Sequence, residues 1–257
     1  MEMRSAISCF LLRNPDFPPN LATLVNNRHP EKQPSFTVEY EIRYKPSFAT
    51  LFVTLSPGES ITAEPGAAIS MDSRITMKTQ FSGGFFSGLL KKWFGGESLL
   101  VNVFRNSTHH PLEVVLSQAS IGDMACIELT QSSICLQPGA YIAHTPGIKM
   151  TVGWAGFASW FAREGLFKLK LTGTGRVFFG AYGGLTPKRI NGEFIVDNGH
   201  LVAYEPSIKM GISLSGGLFS SVSSGEGFVN RLKGQGIIYL QSRSVEGLVQ
   251  FLNPQFR

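Results

Sequence analysis

Charge, cysteine and long apolar runs are all scarce in this chain of 257 residues. Charged residues make up 16% and hydrophobic ones 43%, a balance that can bury a core and excludes a disordered, solvated chain. The formal net charge of +5 bears on solubility and weak attraction to anions, and does not by itself mark a nucleic-acid binder. Three cysteines, Cys9, Cys126 and Cys135, cannot close an even disulfide framework and have no metal-ligand spacing, which points to a reducing compartment. No run reaches the roughly 18 apolar residues of a membrane span. Residues 6–12 are apolar, but Arg13, Asn14 and Pro15 follow without a small-residue cleavage pattern, unlike a secretory signal. Glu2 and Asp16 break the acid-free composition of a mitochondrial presequence.

Signals for catalysis are equally sparse. His109 and His110 stand before Pro111 in a turn, and His144 and His200 are out of register with each other. A metal site needs several converging ligands, and no such set is spaced here. There is no G-x-S-x-G elbow. The GTG at 173–175 and the GQG at 234–236 lack the third glycine and following helix of a dinucleotide loop, and read as bulges or turns. Glu64 and Glu205 each precede a proline, yet Thr145 fills the matching place between them, so turn geometry explains them better than an acid and base pair. The expectation is therefore no catalytic residue, no metal, no cofactor and no enzyme. The Asn106-Ser107-Thr108 sequon is idle in a reducing compartment.

What the chain does have is repetition. LSPGESITAEPGAAISM (55–71), LQPGAYIAHTPGIKM (136–150) and VDNGHLVAYEPSIKM (196–210) each order a glycine turn, a short apolar run, a second turn and a methionine. On this reading Met71, Met150 and Met210 are equivalent. A glycine- and aromatic-rich loop follows each methionine, and then an acidic residue opening a strand: GGES at 95–98, REGLF at 163–167 and GEGFV at 225–229. Units of this length exceed a solenoid repeat and are too small to be comfortable alone. Three packed about a shared centre fill one domain.

Residues 1–35 carry five prolines and no sustained period, and read as an extension. From Phe36 alternation takes over, with Phe36, Val38, Tyr40, Ile42 and Tyr44 on one strand face. Further strands are predicted at 49–55, 99–104, 112–118, 125–130, 166–171, 176–182 and 236–241. This is an all-β pattern. One helix is predicted at 244–252, capped by Ser244, with Val245, Leu248, Val249 and Leu252 at helical spacing and Asn253-Pro254 stopping it. Its stripe is expected to close one end of the β core.

The strings AEPGAAISM, FGGESLLVNVF, VDNGHLVAYEPSIKM and GEGFVNRLKGQGIIYLQSRS resemble a TRAP-like family of unknown function that includes the altered-inheritance-of-mitochondria, or mitochondrial biogenesis, proteins. The likeness runs from about residue 36 to 244. It implies a double-stranded β-helix, jelly-roll-like fold, triplicated with pseudo-threefold arrangement, over repeats of about 36–122, 123–184 and 185–244 in a single domain of 36–257. It implies no catalytic residues.

The loops after each motif are the best functional lead. They hold Phe85, Phe86, Leu89, Leu90, Trp93 and Phe94 in the first copy, Trp154, Phe157, Trp160 and Phe161 in the second, and Leu218 and Phe219 in the third. Loops are normally polar and run over the surface, so apolar loops need a covering. Three are open: the protein's own core, a partner subunit, or a bilayer headgroup region that Lys91, Lys92 and Arg163 could meet. A second lead is basic: Lys168 and Lys170 alternate with apolar residues, as do Arg231 and Lys233. Such ladders could contact an anion, although a solvated strand face explains them better.

These features point to a non-enzymatic oligomeric scaffold or interaction protein, with a protein partner or an anionic membrane surface. The alternative is an RNA- or small-ligand-binding module like the trp RNA-binding attenuation protein. The expected compartment is cytoplasmic in a bacterium, at a membrane, and mitochondrial in a eukaryote.

Overall fold

The structure is a computed structural model that describes residues 38–82, 100–137, 139–154, 167–214 and 228–253. All of these belong to one compact unit, Phe36–Arg257. Seven strands come first: β1 (Glu39–Arg43), β2 (Thr50–Leu55), β3 (Ser60–Ala63), β4 (Ala68–Met71), β5 (Thr76–Phe81), β6 (Leu100–Arg105) and β7 (Leu112–Ser117). Next come β8 (Met124–Leu136), β9 (Tyr141–His144), β10 (Ile148–Trp154) and β11 (Phe167–Gly180). The last group is β12 (Leu185–Asp197), β13 (Leu201–Tyr204), β14 (Lys209–Leu214), β15 (Phe228–Gln241) and helix α1 (Val245–Leu252).

The strands form where alternation is clearest. In β2 the sequence TLFVTL turns Leu51, Val53 and Leu55 into the core, each worth roughly 1.5–3 kcal/mol of burial. The strands predicted at 166–171 and 176–182 are one strand, β11. The GTG between them is a bulge: the register against β8 shifts between Gly173 and Gly175, and both glycines have positive φ, a region that costs glycine little. A tie the sequon conceals stands at Asn106. Its amide is buried and donates to Leu55 O (2.8 Å) and His110 O (2.7 Å), so a core hydrogen bond, not a glycan, occupies it.

Two sheets result, β1-β2-β7-β4 and an eleven-stranded set running β12-β15-β13-β8-β11-β9-β3-β6-β5, with β10 on β11 and β14 on β15. One pairing scheme recurs in them. β4 meets β7 as Ala68↔Leu116, Ser70↔Val115 and Met71↔Val114. β9 meets β11 as Tyr141↔Phe179, Ala143↔Phe178 and His144↔Val177. β13 meets β15 as Leu201↔Leu240, Ala203↔Tyr239 and Tyr204↔Ile238. Each has the same register shift after its first pair. A hairpin follows every time, pairing Met77↔Phe104, Met150↔Leu171 and Met210↔Leu232.

This register corrects the sequence alignment of the first motif. The residue equivalent to Met150 and Met210 is Met77, and Met71 is equivalent to His144 and Tyr204. The segments EPGAAISMDSRITM (64–77), QPGAYIAHTPGIKM (137–150) and DNGHLVAYEPSIKM (197–210) then match without a gap. The cause is that the first copy has two Pro-Gly turns, with Gly58 and Gly66 both at positive φ, and strand pairing shows that the second is the equivalent one. Among the described residues no pairing joins β4 to β12, so the sheet does not close on itself.

The core lies in three apolar clusters, and the first, built on Leu51, Ile61 and Phe104, continues into Met124, Ile142 and Phe178 of the next group of strands. Helix α1 forms as predicted, with Ser244 Oγ accepting from Gly247 N at 3.1 Å. It does not close the core. None of its residues is buried, and Val245, Leu248, Val249 and Leu252 are exposed, because strands and their turns complete the clusters without it.

Candidate functional site

The three hairpins β5–β6, β10–β11 and β14–β15 end alike. Their outermost pairs are Phe81↔Leu100, Trp154↔Phe167 and Leu214↔Phe228, all apolar and all the same step beyond Met77, Met150 and Met210. The connecting residues 83–99, 155–166 and 215–227 lie outside the described residues, and with them Phe85, Phe86, Leu89, Leu90, Lys91, Lys92, Trp93, Phe94, Phe157, Trp160, Phe161, Leu218 and Phe219. The backbone of Trp154 ends β10. At the first hairpin the described part already exposes Met77, Phe81 and Leu100, an apolar strip leading to the tip.

The basic ladders separate on inspection. Lys170 is half-buried in β11, opposite Thr151 and Cys135; of Lys168 only the backbone is described. Arg231 and Lys233 on β15 both reach the Glu193 carboxylate across the β12–β15 pair, Lys233 Nζ at 3.1 Å from Oε2 and Arg231 on Oε1. Hydrogen bonds from Lys233 and Arg231 hold the Glu193 carboxyl below its ordinary range. Their positive charge is thus shared with a carboxylate that lies far off in sequence.

A polar tie crosses from β9 to β3. The Tyr141 hydroxyl donates to Thr62 O (3.1 Å) and lies 2.7 Å from His144 Nδ1. Since a carbonyl only accepts, Tyr141 spends its one proton on Thr62, and Nδ1–H of His144 donates to the tyrosine oxygen. Burial lowers the imidazole to about 4 and raises the Tyr141 hydroxyl well above its usual value. Burial also raises the nearby Glu64 carboxyl. At neutral pH tyrosine and histidine are both uncharged, and the pair works as a structural clasp.

A second tie binds β1 to β8 and β11. Arg176 donates to Val38 O (2.8 Å) and to Glu128 Oε1 (2.9 Å), and its guanidinium lies 5.1 Å from the Tyr40 ring. Tyr40 packs edge-on against Phe178 at 4.9 Å. Burial pushes the adjacent Cys126 thiol up to about 11, the opposite of an activated nucleophile. Neither tie carried a sequence signal, since Thr62 is 79 residues from Tyr141 and Val38 and Glu128 are 138 and 48 residues from Arg176.

A shallow cleft of ≈ 350 Å³ opens beside β8, lined by Ile127, Leu129, Ser132, Ile134, the Glu205-Pro206-Ser207 turn and Tyr239. Glu205 accepts from Ile237 N at 3.1 Å and so braces one wall. Among the described residues no three His, Cys, Asp or Glu side chains are grouped to hold a metal ion, and no helix is long and apolar enough to cross a membrane.

With this geometry in place, the chain can be compared with known proteins. A family described as mitochondrial biogenesis AIM24 matches residues 40–243. An uncharacterised protein of Streptococcus pyogenes serotype M6 is 25% identical over 220 residues, 82% of this chain and 86% of that protein. The crystal structure of a Streptococcus pyogenes protein superposes with a TM-score of 0.71 at 22% identity, over 85% of this chain and 99% of that one. The last match speaks for the fold alone.

Proposed function

The chain belongs to the mitochondrial biogenesis AIM24 family, and from that premise we propose that it is a non-enzymatic association protein. It builds a homo-oligomer and presents its hairpin tips to a protein or membrane surface, organising a membrane-associated assembly. The observation that carries this reading is the recurrence of one hairpin with an apolar outermost pair, Phe81↔Leu100, Trp154↔Phe167 and Leu214↔Phe228. The recurring pairing scheme supports reading the strands as three TRAP-like modules of double-stranded β-helix type. At the first hairpin the exposed Met77, Phe81 and Leu100 form an apolar strip, and exposed apolar patches of that kind mark interaction sites. In a bacterium the protein acts in the cytoplasm at a membrane, and in a eukaryote at a mitochondrial one.

The test compares wild type with Trp93→Ser/Trp160→Ser by native mass spectrometry and by flotation with anionic liposomes. Assembly with flotation that drops in the variant supports the reading; a wild type that neither assembles nor floats removes it. The cleft beside β8 favours a second reading, a small-ligand or RNA module. Salt-dependent RNA binding that falls with Lys170→Glu would promote it, although Glu193 already occupies Arg231 and Lys233.

A further inference from the structure

Successive groups of strands meet in one way. β9 pairs with β3 as Thr62↔His144 and Ala63↔Ala143. β13 pairs with β8 as Cys135↔Tyr204 and Leu136↔Ala203. Each seam is extended by one further bond of the same kind, Glu64 N to Ile142 O and Gln137 N to Val202 O, both 2.8 Å. The residues equivalent to Thr62 and Cys135 in the last group are Ile195, and those equivalent to His144 and Tyr204 in the first are Met71. The scheme therefore leaves one donor edge, on β12, and one acceptor edge, on β4, each without a partner strand among the described residues.

Exposure follows the same logic. All four residues of β9 and all four of β13 are buried, whereas all four of β4 are exposed. Ile142 is 0% exposed and its equivalent Ile69 is 61% exposed; Met71 stands at 41% and Ile195 at 53%. A third series agrees. Gly122 forms parallel bridges on both sides, to Phe48 and to Gly183, while among the described residues Phe48 and Gly183, its equivalents before β2 and β12, are bridged on one side only; Phe48 is 66% exposed.

We propose that a second copy of this chain docks head to tail, its β4 edge adding to the β12 edge of the first as Ile195↔Met71 and Val196↔Ser70. This rests on the oligomer reading above and names its surface. The intermolecular seam repeats the two seams inside the chain, with Asp197 N donating to Ile69 O of the neighbouring copy and Phe48 beside Gly183. Continuity with those two seams identifies the occupant. β4 has neither charge nor proline, the devices that keep a free edge from pairing. At the centre of the seam stands an apolar Met–Ile pair, where the internal seams use Thr62–His144 and Cys135–Tyr204. Because the contact is heterologous, it propagates until a ring closes or a filament grows.

The test uses full-length protein in gel filtration with light scattering and in native mass spectrometry. Wild type assembles; Met71→Lys and Ile195→Lys each raise the dissociation constant by at least about 30-fold, the effect expected of a charge at an interface centre, and leave the far-UV circular dichroism spectrum unchanged because both sites are exposed in the single chain. Mixing the two variants restores a 1:1 heterodimer, since the first keeps an intact β12 edge and the second an intact β4 edge. Assembled wild type that neither variant perturbs overturns this inference and leaves the oligomer reading standing. A mixture that stays monomeric also overturns it. A wild type monomeric at every concentration overturns both.

Discussion

Replacing His144 by glutamine separates a buried neutral imidazole from every other titrating group. In the folded protein burial holds its pKa at about 4, against 6.5 for the free side chain. Between those values the unfolded chain binds a proton that the folded one does not, so unfolding free energy rises with pH through that window. The contribution is fully present above 6.5 and lost as the pH falls to 4. At about 1.4 kcal/mol per pH unit, the shift corresponds to about 3 kcal/mol. For a domain of this size that is roughly 6–12 °C in Tm, at roughly 2–4 °C per kcal/mol. Glu64 acts in the opposite sense: its carboxyl is raised by burial, so its contribution is present below the ordinary pKa and lost as the pH rises. Both proteins carry Glu64, and it cancels in the difference. His144→Gln keeps a donor for Tyr141 and removes the titration. Urea unfolding of both proteins at pH 7.5, 6, 5 and 4 measures the effect. Wild type loses about 3 kcal/mol more than the variant on acidification. Parallel curves would refute the argument, because they would mean that His144 titrates alike in the folded and unfolded states.

Two further outcomes follow from packing. Ile142→Ala costs about 2–5 kcal/mol of stability, whereas the same change at the equivalent Ile69, exposed in the single chain, stays within about 0.5 kcal/mol at concentrations where the protein is monomeric; equal losses in denaturant melts there would contradict the open β4 edge. Gly122→Ala drives a new Cβ into the Ala181 carbonyl oxygen, at a point bridged to both Phe48 and Gly183. It costs about 1–3 kcal/mol or more, read as a fall in Tm, and an unchanged Tm would show that this junction yields easily.

The candidate site was legible in part. Local composition marked the second strand of two hairpins, predicted at 99–104 and 166–171, but not the first strands β5, β10 and β14, and the glycine- and aromatic-rich segments themselves lie outside the described residues. Pairing was not legible. Arg231 and Lys233 read as a free basic ladder until β12 brought Glu193 beside them. Tyr141, His144 and Thr62 are joined only where β9 crosses to β3. The gap-free match of 64–77 with 137–150 does set Met77 against Met150, but the earlier Pro57-Gly58 turn offers a competing alignment on Met71 that strand pairing rejects.

Alternation in β2 and the Ser244 cap of α1 are short-range properties, fixed by which side chains face one way along a strand and which hydroxyl reaches a helix N–H. The amino-acid order therefore determined an all-β chain of repeated hairpins with a short terminal helix. Whether that helix would find a surface to cover, and whether β4 would be buried like β9 and β13, depended on which strands lie alongside. That is a matter of long-range register, and only the tertiary structure decided it: among the described residues no residue of α1 is buried, and β4 and β12 each keep one edge without a partner strand because no further group of strands follows to supply it.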